Sequence, residues 1–354
     1  MSLENKKITL VVGAGASREL GLPTGAELKA KIASLLDIQF PDGYRQKSGD
    51  YQICDALKAE ALLSGDSRQD INPHLHAAWR IRDAMPQAIS IDNFIDTHQG
   101  DKLIELCGKL AITRSILEAE RSSILYLNPQ DGKENLNFSK TEACWLNPFV
   151  RILTENCKES ELEKRLSSIT LIVFNYDRCI EHYLYLSLQN YYGISKEKAA
   201  ALVKKIEIYH PYGTVGPLPW QAQSDAVPYG TELNPDRLLA IAKGIKTFTE
   251  GTDPDSSEIV QIKHAVGTSS RVLFLGFAFH RLNLQLISPQ ENMSTEKLAQ
   301  RFLATAKGIS KSDCDEIRLE LATLGHCSPM QVELRNDLAC RDIFFEYTRG
   351  LSLL

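Results

Sequence analysis

Asn175 and Asp177 stand in Phe174-Asn175-Tyr176-Asp177, and His210 heads the run His210-Pro211-Tyr212-Gly213-Thr214. A histidine titrates near neutrality and can take a proton from a hydroxyl or a water, while an uncharged amide orients such a group without adding a competing charge. Each residue also has a plain structural use. An asparagine after a strand satisfies turn backbone, Asp177 can cap the helix behind it, and a histidine before proline can simply pack. A third cluster, Gly13-Ala14-Gly15-Ala16-Ser17, follows the apolar run Ile8–Val12 and reads as strand, tight turn and helix start. Glycine there lets the backbone bend and approach a ligand, and the amides of the next helix favour an anion such as a dinucleotide pyrophosphate. The dehydrogenase fingerprint needs a further glycine where Arg18 stands, and no GKS or GKT follows as a P-loop would require.

These clusters need a scaffold that brings them together. Strands are expected at Ile8–Val12, Ile169–Phe174, Ile206–Tyr209, Val272–Leu275 and Phe302–Thr305, and Ile169–Phe174 is a continuous apolar run suited to a parallel sheet buried on both faces. Helical spacing is expected over Ala26–Leu36, Ile53–Leu63, Pro73–Ala88, Ile91–Thr97, Lys102–Ser122, Glu142–Cys157, Ser160–Leu166 and Cys179–Leu186. Further helices are expected at 235–248, 256–267, Lys311–Leu324 and 330–348, and 127–140 reads as an exposed connection. Strands alternating with helices imply an α/β fold, a Rossmann-like doubly wound parallel sheet interrupted by a large helical insertion. Four of the five strands end in a polar or glycine-containing cluster, and in such sheets ligands sit beyond the carboxyl ends of the strands. The expected division is 1–37 with 168–310 as the sheet domain, 38–167 as the helical insertion, and 311–354 as a carboxyl-terminal helical segment packed on the sheet.

Composition narrows the class. With 354 residues, 43% hydrophobic and 24% charged, the chain can bury a large core, and a net charge of −5 with scattered basic residues gives no reason to expect nucleic acid. No apolar run approaches a membrane span, and MSLENKKITL lacks the apolar stretch of a signal peptide, so a cytoplasmic protein is expected. Eight cysteines are spread singly without a CxxC pair and read as buried free thiols; His74 and His76 read as a solvated helix start rather than a metal pair. No metal is expected.

Taken in order, the clusters resemble the sirtuin family. GAGAS at 13–17, followed by Gly21-Leu22-Pro23, is similar to that family's pyrophosphate turn, and FNYD at 174–177 to its Q-N-I/V-D. HPYGT at 210–214 stands where sirtuins have H-G-S, with the histidine three residues before the glycine, and LGFAF at 275–279 resembles the later G-T-S turn. The resemblance implies NAD as substrate, with Asn175 beside the nicotinamide ribose, His210 as the base, and Asp177 on the nicotinamide amide. Gly13, Ala14, Gly15, Ala16, Ser17, Pro23, Thr24, Gly276, Phe277 and Asn283 are the implied dinucleotide contacts. Sirtuin deacetylases carry two CxxC pairs on a structural zinc; this chain has none. A nearer resemblance is to the Sir2-like group of bacterial antiphage defence, which lacks that zinc, carries a helical insertion and hydrolyses NAD+. It rests on SIDNFID at 90–96, GKLAITRSILEAER at 108–121 and FLGFAFHRLN at 274–283. It implies an NAD+ hydrolase acting as a regulated, NAD+-depleting effector, with a partner such as a helicase-like ATPase or a nuclease; a homo-oligomer is expected because closed symmetric assemblies are the common case. A deacylase and a non-catalytic NAD- or ADP-ribose-binding subunit are the alternatives.

Overall fold

A computed structural model describes residues 7–132, 135–247, 250, 256–289 and 301–353. The amino-terminal reading of residues 1–6, part of the connection at 127–140, and the last residue of the helix expected over 235–248 lie outside the described residues.

One compact unit comprises Met1–Gly21, Ile124–Pro211 and Thr252–Leu354. Its centre is a six-stranded, all-parallel sheet: β1 Ile8–Val12, β2 Ile169–Val173, β3 Glu207–Tyr209, β4 Arg271–Leu275, β5 Arg301–Thr305 and β6 Val332–Arg335. The order across the sheet is β3-β2-β1-β4-β5-β6, so the winding reverses between β1 and β4. That is the strand order of dinucleotide-binding folds, whose ligands lie at this reversal. β1 and β2 are buried at every residue, as a two-sided sheet demands of its central strands. The register aligns Val12 with Val173 on one side and Leu275 on the other, so Gly13, Phe174 and Gly276 leave the sheet at one level.

The tail departs from the sequence reading. Val332–Arg335 lies in a stretch expected to be helical, yet it pairs with β5 and buries Val332 and Leu334 alternately with Glu333 and Arg335. A four-residue edge strand is too short for its period of two to stand out from a helical pattern. Beyond the short 3-10 helix Pro329–Gln331, helix resumes there at Cys340–Glu346 and Thr348–Leu351, so 311–354 is not a purely helical segment.

The second compact unit comprises Leu22–Ser123 and Tyr212–Gly251, and within its described residues the regular elements are helices. Helix Pro235–Gly244 buries Leu238, Leu239, Ile241 and Ala242, and it packs on helices Tyr51–Leu63 and Lys102–Ser122. That packing draws 212–251 into the helical unit. The boundaries expected at 38 and 167 therefore move, and residues 124–167 join the sheet unit. The second shift has visible causes. The Glu19 carboxylate accepts the amides of Trp145 and Arg341 at 2.8 and 3.0 Å, and the Trp145 indole N–H donates to the Ala16 carbonyl. Trp145 and Phe149 also pack against Phe344. Glu19 thus satisfies the amino-terminal amides of two helices, those opening at Leu146 and Cys340.

Among the described residues no helix is long and apolar enough to cross a membrane.

The turns after β1 and β4 touch backbone to backbone. A Cβ on Gly276, whose φ is +56°, would stand 2.0 Å from the Ala16 amide nitrogen, and a Cβ on Gly13 would stand 2.6 Å from the Gly276 carbonyl oxygen. Gly276→Ala should therefore lower unfolding free energy in denaturant titration by about 3 kcal/mol or more, combining left-handed strain with overpacking. Gly25→Ala, with nothing within 4 Å of the new methyl, should change it by less than about 0.5 kcal/mol.

Candidate functional site

The glycine turn is built differently from the expected phosphate cradle. The Gly13 amide donates to the Leu275 carbonyl, the Gly15 amide to the Gly276 carbonyl, and the Ala16 amide to the Gly13 carbonyl, at 2.9 to 3.0 Å. Three turn amides are thus committed to backbone acceptors. Gly13 and Gly15 are required because a second turn lies against them. The helix they open is only Ala14–Ser17, continued as a tighter turn over Arg18–Leu20 and ended by Gly21 at φ +93°. The helix expected over Ala26–Leu36 runs Gly25–Leu36 and belongs to the other unit. A helix as short as Ala14–Ser17 has little macrodipole to offer an anion. Ala14 and Gly15 are half-buried, while Gly13, Ala16 and Ser17 are buried.

Ser17, Asn175 and Asp177 form one hydrogen-bonded cluster at the carboxyl ends of β1 and β2. The Ser17 hydroxyl donates to Asp177 Oδ2 at 2.8 Å, and Asn175 Nδ2 donates to Ser17 Oγ at 2.9 Å. Asp177 Oδ1 accepts the Cys179 amide, opening helix Cys179–Tyr192. A carboxylate only accepts, so the serine proton must point to Asp177; Ser17 Oγ must then accept, and the asparagine must offer its NH2. This ordering leaves Asn175 Oδ1 as the one polar atom of the trio without a donor among the described residues. Asn175 is 8% exposed and Asp177 4%. Ser17 and Asp177, both expected as ligand contacts, use polar atoms to hold Asn175 and the helix start.

His210, placed by the three-residue strand β3, reaches the same cluster. Its Nδ1 lies 3.1 Å from the Asn175 main-chain carbonyl and its Nε2 lies 2.8 Å from Glu181 Oε1. A carbonyl oxygen carries no proton, so Nδ1 is the donor. Burial disfavours charge on both members of the His210–Glu181 pair, pushing the imidazole down and the carboxyl up. Their mutual attraction outweighs it. The Glu181 carboxylate, the Asn175 carbonyl and Asp177 leave His210 above its ordinary 6.5, and His210 and Arg178 leave Glu181 below its ordinary 4.5. Both ring nitrogens are thus engaged, Nδ1 on the Asn175 carbonyl and Nε2 on Glu181. His182 makes the contrast: burial pushes it down to about 4, and its Nε2 lies 3.3 Å from the Leu125 carbonyl.

The remaining expected contacts divide. Gly276 donates its amide to Thr305 Oγ1 and backs onto the glycine turn. Phe277 is buried among Phe174, Phe274 and Phe279, with ring centroids 5.1 to 5.6 Å away. Phe279 holds φ +54°, a conformation that bulky residues rarely adopt. Asn283 is buried on helix Arg281–Ile287. Pro23 and Thr24 lie in the helical unit, where the Glu27 carboxylate accepts both the amide and the hydroxyl of Thr24 in a capping box.

Glu181 was not singled out from sequence. It stands in the first turn of a helix, where an acidic residue ordinarily reads as a partner of the macrodipole, and only its position four residues after Asp177 hinted otherwise. All eight cysteines are free; burial pushes Cys107 and Cys340 up to about 12, so these thiols are no nucleophiles at neutral pH. Among the described residues no group of three or more histidine, cysteine, aspartate or glutamate side chains could hold a metal ion. Compared with models of known protein families and with curated proteins, the chain finds no match.

The ion pair sets a pH window for stability. His210, raised on folding, contributes fully below 6.5 and loses its contribution as pH climbs through the folded value; Glu181, lowered, contributes fully above 4.5 and loses it as pH falls. Thermal unfolding followed from pH 4 to 9 should show this contribution flat between 4.5 and 6.5 and declining on both sides. Glu181→Ala, leaving a buried imidazolium without its counter-ion, should cost about 3–5 kcal/mol inside the window and much less at alkaline pH.

Proposed function

We propose that the sheet unit binds NAD+ beyond the carboxyl ends of its strands and hydrolyses the nicotinamide–ribose bond, releasing nicotinamide, ADP-ribose and a proton. The observation that carries this reading is the fixed amide of Asn175, held by Ser17 and Asp177 with Oδ1 left open as an acceptor. An acceptor of that kind suits a ribose hydroxyl or an attacking water, one of whose hydrogens it can orient. The strand order and the reversal between β1 and β4 support the dinucleotide part. The resemblance of GAGAS, FNYD, HPYGT and LGFAF to sirtuin turns supports the choice of NAD+.

The chemistry asks little of a base. Nicotinamide leaves as a neutral molecule, positive charge develops on the ribose, and a water placed about 3–3.5 Å from the anomeric carbon completes the displacement. Its proton is lost to solvent once the new bond has formed. With both ring nitrogens of His210 engaged, the role assigned to it passes from proton abstraction to holding the site together. In this reading the chain is a regulated effector of antiphage defence that depletes NAD+, working as a homo-oligomer with a helicase-like ATPase or a nuclease as partner. Regulation is needed because constant loss of a central cofactor would harm the cell.

The same engaged histidine favours a second reading, in which the unit binds NAD+ or ADP-ribose and signals to a partner without turnover.

Incubation of the purified protein with NAD+, alone and with its partner, should release nicotinamide, and Asn175→Ala should lower that rate roughly 10²- to 10⁴-fold. Release that survives Asn175→Ala rejects the site. Saturable NAD+ binding without nicotinamide release under both conditions selects the second reading.

A further inference from the structure

Asn175 is the first residue past the sheet ladder on its strand. β2 ends at Val173, and the last main-chain bond tying this stretch to β1 is the Phe174 amide to the Val12 carbonyl. The Asn175 carbonyl has left the sheet, and His210 Nδ1, at the end of the neighbouring strand, supplies its donor. The residue is therefore gripped twice, by Ser17 on the side-chain amide and by His210 on the main chain. The second grip depends on Glu181. Glu181 is 3% exposed, uses Oε1 on the imidazole, and leaves Oε2 with no hydrogen-bond partner among the described residues. A buried carboxylate satisfied on one oxygen is costly, and apolar side chains in place of both members of the pair would be at least as stable. What the charge does provide is a ring held in one orientation with Nδ1–H turned to the Asn175 carbonyl.

We propose that Glu181 is a positioning residue: its carboxylate holds the His210 ring, the ring pins the main-chain carbonyl of Asn175, and Asn175 Oδ1 is thereby aimed by a residue that does not meet the substrate. The inference rests on the NAD+ reading for its reaction and on the hydrogen bonds alone for its geometry. The charged groups that bear on the ring are Glu181 and Asp177, and those that bear on Glu181 are His210 and Arg178, while the adjacent His182 is neutral. Removing the Glu181 charge therefore acts chiefly on His210.

The test is Glu181→Gln in the full chain, read in two ways. By nitrogen–proton NMR, the Asn175 side-chain amide resonances should move and the His210 ring should titrate at lower pH than in the parent protein. In NAD+ hydrolysis, kcat should fall about 10²-fold with KM within about threefold, and the alkaline limb of the pH–rate profile should shift to lower pH. A folded Glu181→Gln protein with unmoved Asn175 amide resonances and unchanged kcat overturns the proposal. If glutamine prevents folding, His210→Phe fills the same space without a donor and should give the same displaced Asn175 signals and lowered kcat; unmoved signals again overturn it. A parent protein that releases no nicotinamide defeats the NAD+ reading instead, and the Asn175 amide signals then decide the positioning role by themselves.

Discussion

The backbone contact between the turns after β1 and β4 is the constraint on which the sheet unit depends. Two glycines on one side and one on the other let main chains approach to distances that any side chain would forbid. Because β1 and β4 are the strands between which the winding reverses, this contact fixes the point where a doubly wound sheet ordinarily opens to a ligand. It also consumes the Gly13 and Gly15 amides. Phe277, one residue past Gly276, closes on Phe174 beyond β2, so the ends of the strands flanking β1 are joined by aromatic packing. The positive φ values at Gly276 and Phe279 mark a turn whose shape is imposed by its surroundings rather than chosen locally.

The polar atoms at this edge follow a strict order of use. Asp177 takes the serine proton and a helix amide, Ser17 takes an asparagine proton, and His210 takes the asparagine carbonyl and the Glu181 carboxylate. Buried polar groups must be satisfied, and here each satisfaction dictates the next. The product is one defined amide orientation. Through this chain of dependences Ser17 and Asp177 support Asn175.

Glu19 plays a comparable part away from this edge. It is half-buried and its carboxyl is raised by burial, against which the amides of Trp145 and Arg341 lower it. A single carboxylate thus ties segments near residues 19, 145 and 341 into one unit. Within the helical unit, Lys109 sits between Glu105 and Glu250, Arg114 between Asp50 and Glu118, and Glu120 accepts the Gly230 amide.

By itself the sequence determined the fold class and most of its elements, because buried parallel strands are written as short apolar runs and helices as periodic ones. Ile8–Val12, Ile169–Val173, Lys102–Ser122 and Lys311–Leu324 are legible for that reason. It also marked Asn175, Asp177, Ser17 and His210 as neighbours in space, since residues that end parallel strands share one edge. What only the tertiary structure decided is what those neighbours do to each other. The glycines needed room for another turn's backbone, Ser17 and Asp177 were spent on Asn175, and Glu181 met His210 across elements 29 residues apart. The same holds for the unit boundaries, which follow where Pro235–Gly244 and Trp145 bury their faces. Periodicity records that a face is apolar or that a residue ends a strand; the partner that meets it is set by packing and hydrogen-bond geometry between segments far apart in the chain.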